Sequence, residues 1–296
     1  MRFLTAGAAS SVGASTLFGV TFYLAGVVDA TPTEVLGWRI VITALFLAAL
    51  AVTGAGRAAL SALSTLIRAK KVLVGVLVLT ALLVGVQMWM FAWTPAHGHA
   101  FDASFGYLLL PLCLVVVGRL VFRDPLSTLQ WVAVAIAGIA VVANATVSGP
   151  ASWVTFVICG GYTLYFSLRR RFRLDMPAAF GIECAMLMPV AVALIALSPS
   201  PFSAPTPLLL LMAIVAALAM WLYLNAALRL SMPAFGLLGY LESVLLFVAA
   251  IALGESLSVF DWILFIMLVA ALFLMALDGM ITLTVARRLR PPAVVP

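Results

Sequence analysis

Asp124-Pro-Leu-Ser-Thr-Leu-Gln-Trp131 and Glu255-Ser-Leu-Ser-Val-Phe-Asp-Trp262 are one pattern written twice, 131 residues apart, in a chain of 296 residues. Each copy follows an apolar stretch that opens with Phe-Gly, at Phe105-Gly106 and Phe235-Gly236. An earlier pair repeats as well, Gly19-x-Thr-x-Tyr23 against Gly161-x-Thr-x-Tyr165. The chain therefore reads as a duplication, with halves at residues 1–150 and 151–296.

Residues around the repeats are overwhelmingly apolar: 66% hydrophobic, 9% charged, with a mean hydropathy of +1.25. Soluble domains carry about a quarter charged residues, so this chain belongs in a bilayer. Crossing ~30 Å of hydrocarbon takes about 20 residues, which leaves room for about ten spans and no sizeable soluble domain. Apolar runs between Gly, Pro and charged residues give spans near 3–28, 33–53, 72–93, 99–122, 128–147, 151–168, 177–197, 207–228, 233–253 and 258–280. The first of these is too long for a signal peptide and reads as a span. The expected fold is an all-α polytopic membrane protein of ten transmembrane helices.

Charge orients it. With the N-terminus in the cytoplasm, fifteen of the sixteen Lys and Arg residues fall on the cytoplasmic side, and Arg39 alone does not. Retention of positive residues inside then places both termini in the cytoplasm of a cell with this protein in its inner membrane. Equivalent connections of the two halves carry opposite signatures. The loop after span two holds Arg57, Arg68, Lys70 and Lys71, whereas Ser198 to Thr206, after span seven, holds none; span one ends at Asp29, span six in Arg169-Arg-Arg-Phe-Arg173. Because five is odd, the second copy enters the membrane upside down. Two inverted-topology five-helix repeats are expected, an arrangement that in transporters puts a binding site near the midplane between the repeats.

Several function classes drop out. The net charge of +6 resides in interhelical loops, so nucleic acid is not the expected partner. Cys113, Cys159 and Cys184 have no metal-site spacing and read as reduced core thiols, and no cofactor is implied. A phosphate loop of the Gly-x-x-x-x-Gly-Lys type is absent, so a solute or proton gradient would drive any transport. His99, Asp102 and Ser104 lie close together without a nucleophile elbow, and an enzyme is not expected.

The repeated Phe-Gly run leading to acidic-x-Leu-Ser-x-x-x-Trp resembles the EamA-type members of the drug/metabolite transporter superfamily. Within it, Glu34-x-x-x-Trp38-Arg39, Trp93, His99-x-x-Asp102-Ala-Ser-Phe-Gly-Tyr107-x-x-x-Pro111, Gln130-Trp131 and Gly181-x-Glu183 are similar to the RarD-like branch. The resemblance covers nearly the whole chain and is most specific from His99 to Trp131. It implies ten helices and export or exchange of small metabolites across the inner membrane, without supplying a substrate.

Ionisable residues within spans cost about 2.5–3.5 kcal/mol by insertion scales, so each needs a wet cavity or a partner. Glu242 lies nine residues into span nine, roughly 13 Å from its cytoplasmic end at ~1.5 Å per residue. It is the deepest carboxylate and could bind an amine, exchange a proton, or, as the plain alternative, bond two helices while protonated. Glu183 is shallower and could snorkel or pair with the basic run at Arg169 to Arg173. Arg39 could take a substrate carboxylate or phosphate bidentately, or form a structural ion pair with Glu34 or Asp102. His99 and Asp102, in the outer turn before span four, could sense external pH or simply form a solvated helix start. Trp38, Trp89, Tyr107 and Tyr240 lie deep enough in their spans to line a cavity, unlike Trp131, Trp153 and Trp262, which read as interfacial anchors. Gln87 adds neutral hydrogen bonding, and Pro111 a break in span four where a gate could bend.

These residues add up to a secondary transporter that exports a small amphipathic metabolite or drug, such as an amino acid or an aromatic compound, by alternating access with possible proton coupling. A passive facilitator or channel is the alternative, and a membrane sensor or scaffold a weaker one. Its partners are then the small-molecule substrate, the lipid bilayer and a coupling proton; oligomeric state is not readable.

Overall fold

A computed structural model describes residues 2–147, 152–198, 206–230 and 232–288. The Pro-rich connection 199–205 and the tail 289–296, both used above in orienting the chain, lie outside the described residues. Eleven helices are found among the described residues: α1 Arg2–Val27, α2 Pro32–Ala51, α3 Gly54–Ala69, α4 Val72–Ala96, α5 Ala100–Val121, α6 Thr128–Val147, α7 Trp153–Phe172, α8 Pro177–Ala196, α9 Pro207–Arg229, α10 Met232–Ala252 and α11 Val259–Arg288. Seven of them, α1, α2, α4, α5, α8, α9 and α11, contain stretches long and apolar enough to cross a membrane, and α6 and α10 contain shorter apolar stretches. The chain is an all-helical multi-pass membrane protein. Its outward faces carry Val78, Leu82, Val86, Ile263, Ile266 and Phe273, as contact with lipid requires.

The repeated motif is a helix start. In the first copy the Ser127 hydroxyl accepts from the Gln130 amide at 3.1 Å and the Gln130 side chain accepts from the Ser127 amide at 3.1 Å. The second copy makes the same reciprocal pair between Ser258 and Asp261, at 3.2 and 2.8 Å. Each is a capping box, which satisfies two amides that a helix end would otherwise leave open and is worth about 1 kcal/mol. The backbone ahead of the acidic residue repeats too, since Arg123 and Gly254 both adopt left-handed conformations, at φ 60° and 86°.

One helix was not expected. Residues 54–69 read as a basic loop, but they form α3, which at ~1.5 Å per residue is too short to cross the membrane and is amphipathic. Its fully buried Leu63 and its Ile67 pack with Val76, Leu77, Leu174 and Ala179, while Arg57 and Arg68 stay exposed.

Packing runs across the halves more than within them. α1 packs on α9 and α10, α2 on α8 and α9, α4 on α7 and α8, α5 on α7 and α10, and α6 on α11. Small residues set the closest approaches. A Cβ on Gly106, of the Phe-Gly pair, would sit 3.1 Å from the Thr155 carbonyl and the Ile158 Cβ of α7, and one on Gly26 would strike Leu253, just past the end of α10. The central apolar cluster, with Phe18, Phe22, Phe91, Tyr107, Ile158 and Leu246 among its members, draws on α1, α4, α5, α7 and α10.

Candidate functional site

Arg39 of α2 is 7% exposed, and its guanidinium carbon stands 4.6 Å above the Phe91 ring. Among the described residues it has neither a hydrogen bond nor an ion pair. Both carboxylates expected to hold it are engaged elsewhere. Glu34 closes the capping box of α2, accepting from the Thr31 amide at 2.8 Å and the Thr31 hydroxyl at 2.9 Å. Asp102 accepts from the Ser152 hydroxyl at 2.8 Å and lies 2.9 Å from His99 Nδ1. The groups within electrostatic reach of Arg39 are instead Tyr107 of α5, Tyr162 of α7 and Glu242 of α10. Glu242 in turn influences Tyr107, Tyr162 and Tyr223 of α9, and no hydrogen bond fixes its carboxylate among the described residues. Five helices thus bring one cation, one carboxylate and three tyrosines together, with the cation and carboxylate left unbonded.

Neutral groups around this set are also left open. The Gln87 carbonyl oxygen is buried without a partner, although the Gln87 amide donates to the Val157 carbonyl at 3.0 Å, and the Tyr107 hydroxyl has only Tyr162 within reach. A polar group in that position costs about 1–3 kcal/mol unless something else satisfies it, which is what a bound solute would do. Pro111 has a specific part in this. Lacking an N–H, it frees the Tyr107 carbonyl four residues earlier, and the Ser243 hydroxyl, next to Glu242, donates to that oxygen at 3.3 Å. The break in α5 therefore ties α5 to α10 beside the charged pair.

Other candidates lie apart from it. Tyr240 turns toward α11, its hydroxyl 3.9 Å from the Met275 sulfur. Trp38 packs beside Ala25, Val35, Ala92 and Met212. Trp89 stacks on Trp93 at 5.6 Å, and Trp93 stacks in turn on His97 and His99 at 4.4 and 5.4 Å. His99 and Asp102 belong to this tower at the α4–α5 turn, where Asp102 and its carbonyl fasten α5 to Ser152 and to Thr155 of α7. Glu183, fully buried, takes Arg169 Nη1 at 2.9 and 3.0 Å and the Tyr165 hydroxyl at 2.8 Å, the pairing with the basic run that its depth allowed. Nearby, Arg170 grips Asp124 with both terminal nitrogens, at 2.7 and 2.9 Å, and holds that loop carboxyl below the ordinary aspartate range. Tyr162 and Tyr223 are the members of this set least visible in sequence; position within Gly-Gly-Tyr162 is the only local signal for the first.

Known transporters resemble the chain over most of its length. An uncharacterized transporter of Haemophilus influenzae is 34% identical over 276 residues, covering 91% of this chain and 92% of its own length. The chain belongs to the RarD-like EamA transporter family. A second uncharacterized transporter, from Pasteurella multocida, is 31% identical over 92% of the chain and 96% of its own length. The chloramphenicol-sensitive protein RarD of Pseudomonas aeruginosa is 36% identical over 185 residues, 60% of the chain and 62% of its own length. No family model matches the sequence. Membership makes this a membrane transporter, and for a RarD-like protein the unbonded Arg39 and Glu242 are the natural place to look for its solute.

Proposed function

We propose that the chain is a secondary transporter of the inner membrane that exports a small amphipathic solute carrying both an acid and an amine, an aromatic amino acid being the simplest example. The carrying observation is the pair of opposite charges, buried Arg39 from the first half and half-buried Glu242 from the second, within electrostatic reach of Tyr107, Tyr162 and Tyr223 and not bonded to each other. Arg39 offers a planar fork to a carboxylate, Glu242 an acceptor to an ammonium, and the tyrosines ring faces to an aromatic body. When the solute leaves, Glu242 exchanges a proton and couples export to the gradient.

Alternating access between two inverted repeats, residues 1–150 and 151–296 with both termini cytoplasmic, is the mechanism this reading uses. The packing supports it: exchanging each helix for its counterpart turns the α1 contacts with α9 and α10 into the α7 contacts with α4 and α5, and returns α2 on α8, α5 on α10 and α6 on α11 to themselves. A thermal-shift screen of the purified full chain tests the solute class, with free amino acids compared with their N-acetyl and methyl-ester forms. Free aromatic amino acids should stabilise the protein and the single-ended derivatives should not. Equal stabilisation by the esters would contradict the two-charge site.

A further inference from the structure

α6 packs chiefly on α11 and leaves, between itself, α5 and α7, a groove of ≈ 940 Å³ that none of Arg39, Tyr107, Tyr162, Tyr223 and Glu242 lines. Its rim residues Val121, Val142 and Leu164 are exposed, so it opens outward from the bundle. Two glycines deepen its apolar walls. Gly26 and Gly106 bring elements into contact, whereas a Cβ on Gly138 of α6 or Gly160 of α7 would meet nothing within 4 Å.

The groove runs from Gly160 to Arg171 along α7 and from Leu109 to Phe122 along α5, roughly 17 and 20 Å at ~1.5 Å per residue. One leaflet of a ~30 Å hydrocarbon core is about as deep. Three of its polar residues, Thr163, Ser167 and Arg171, are spaced by one helical turn and so form a single line along α7 toward its end. Thr163 is buried, with only Cys159 within reach of its hydroxyl. Arg171 stands at the mouth. Its neighbours in the basic run are engaged, Arg169 by Glu183 and Arg170 by Asp124, but among the described residues the side chains of Arg171 and Ser167 have no hydrogen-bond or ion-pair partner. Arg119, exposed in the last turn of α5, adds a second cation at the same end, where Arg170 covers the Phe122 ring at 4.3 Å.

We propose that this groove is a binding site for one anionic phospholipid, with an acyl chain lying between α5, α6 and α7 and the phosphate on Arg171. An apolar channel one leaflet deep that ends at an unpaired arginine matches the two parts of such a lipid, and basic pockets between transmembrane helices favour anionic headgroups. Ser167 lies one turn inside the mouth, roughly 6 Å deeper, where the glycerol esters would offer it an acceptor. Charge favours this occupant over a second copy of the chain, which at a net charge of +6 brings more cation than acid. The lipid fills a gap that protein packing leaves between α6 and α7, so binding should stabilise the fold.

Purified full-length protein, delipidated in detergent, is titrated with dioleoyl phosphatidylglycerol, dioleoyl phosphatidylcholine or glycerol phosphate and read by melting temperature and native mass spectrometry. Phosphatidylglycerol should raise the melting temperature and remain as a single adduct. Phosphatidylcholine, with the same chains, should bind more weakly, and glycerol phosphate, with no chain, should do neither. Arg171→Gln, at an exposed and unbonded position, should weaken phosphatidylglycerol binding about fivefold, the share of one cation beside an anionic lipid. Gly138→Leu fills the groove where nothing stands in the way, and should abolish the adduct without lowering the melting temperature of lipid-free protein, because leucine is the better helix former. Absence of an adduct in the wild type, equal binding of the two phospholipids, or stabilisation by glycerol phosphate would overturn the proposal. So would an undiminished adduct in Gly138→Leu or unchanged affinity in Arg171→Gln. A wild-type dimer that Gly138→Leu separates, with no lipid retained, would overturn it by making the groove a contact between copies.

Discussion

Arg39 offers a perturbation whose effects on folding and on transport should part company. Replacing it with methionine keeps most of the side-chain volume and removes the guanidinium. The structure gives that group one contact of consequence, the Phe91 face at 4.6 Å, worth about 0.5–2 kcal/mol. Against this stands the cost of burying an unpaired cation, several kcal/mol even after relaxation, which the substitution relieves. The melting temperature of Arg39→Met should therefore equal or exceed that of the wild type. Binding should respond in the other direction. A hydrogen bond to a charged group is worth about 1.5–3 kcal/mol, and about 1.4 kcal/mol is tenfold in affinity, so solute affinity should fall by about 10- to 100-fold or more. Arg39→Lys, which keeps the charge and loses the fork, should lie between. Melting curves and solute titrations on the same preparations make the comparison. An unfolded Arg39→Met, or one that binds solute normally, would refute the reasoning.

Glu242→Gln should abolish net flux driven by a pH gradient and leave solute exchange at a reduced rate, since exchange avoids the empty, deprotonated carrier; wild-type values for both fluxes in proteoliposomes would return Glu242 to a purely structural role. Glu183→Gln strands Arg169 in a buried site and should cost about 3–5 kcal/mol, while Glu183→Leu combined with Arg169→Met should recover most of that loss in thermal melts. Cys113 and Cys159 touch across α5 and α7, with their sulfurs 2.7 Å apart, so a membrane-permeant oxidant should lower the count of titratable thiols in the denatured protein from three to one. A count that stays at three would show that the two thiols do not meet.

What the sequence made legible was the part of the molecule written in polar residues. The duplicated hairpins were visible because acidic-x-Leu-Ser-x-x-x-Trp recurs after a Phe-Gly pair in each half; the structure makes Ser127 with Gln130, and Ser258 with Asp261, reciprocal helix caps. The pairing of Glu183 with the basic run was legible from depth and charge. Inside the spans the signal fades, because a helix that is apolar all round has no periodicity to say which face looks inward. Depth favoured Tyr240 over Tyr223, yet Tyr240 meets Met275 and Tyr223 is the one within electrostatic reach of Glu242. A shared position at the outer ends of spans two and four also misled: Glu34 and Asp102 looked like partners for Arg39, but Thr31 claims the first, and Ser152 and His99 the second. The α3 helix was hidden by four basic residues, Arg57 and Arg68 within it and Lys70 and Lys71 just after, which are consistent with a loop; its apolar face at Leu63 and Ile67 gains meaning only once α4 and α8 are beside it.

The account turns on Arg39 and Glu242 holding one solute between two halves that exchange exposure. Trans-stimulated counterflow of a radiolabelled aromatic amino acid in proteoliposomes tests this most directly, with wild-type, Arg39→Met and Glu242→Gln proteins at matched incorporation. The account predicts that unlabelled solute inside the vesicles accelerates entry of label in the wild type, that the acceleration is lost in Arg39→Met, and that it is reduced in Glu242→Gln. Label entry that is indifferent to internal solute, or counterflow undiminished in Arg39→Met, would contradict it.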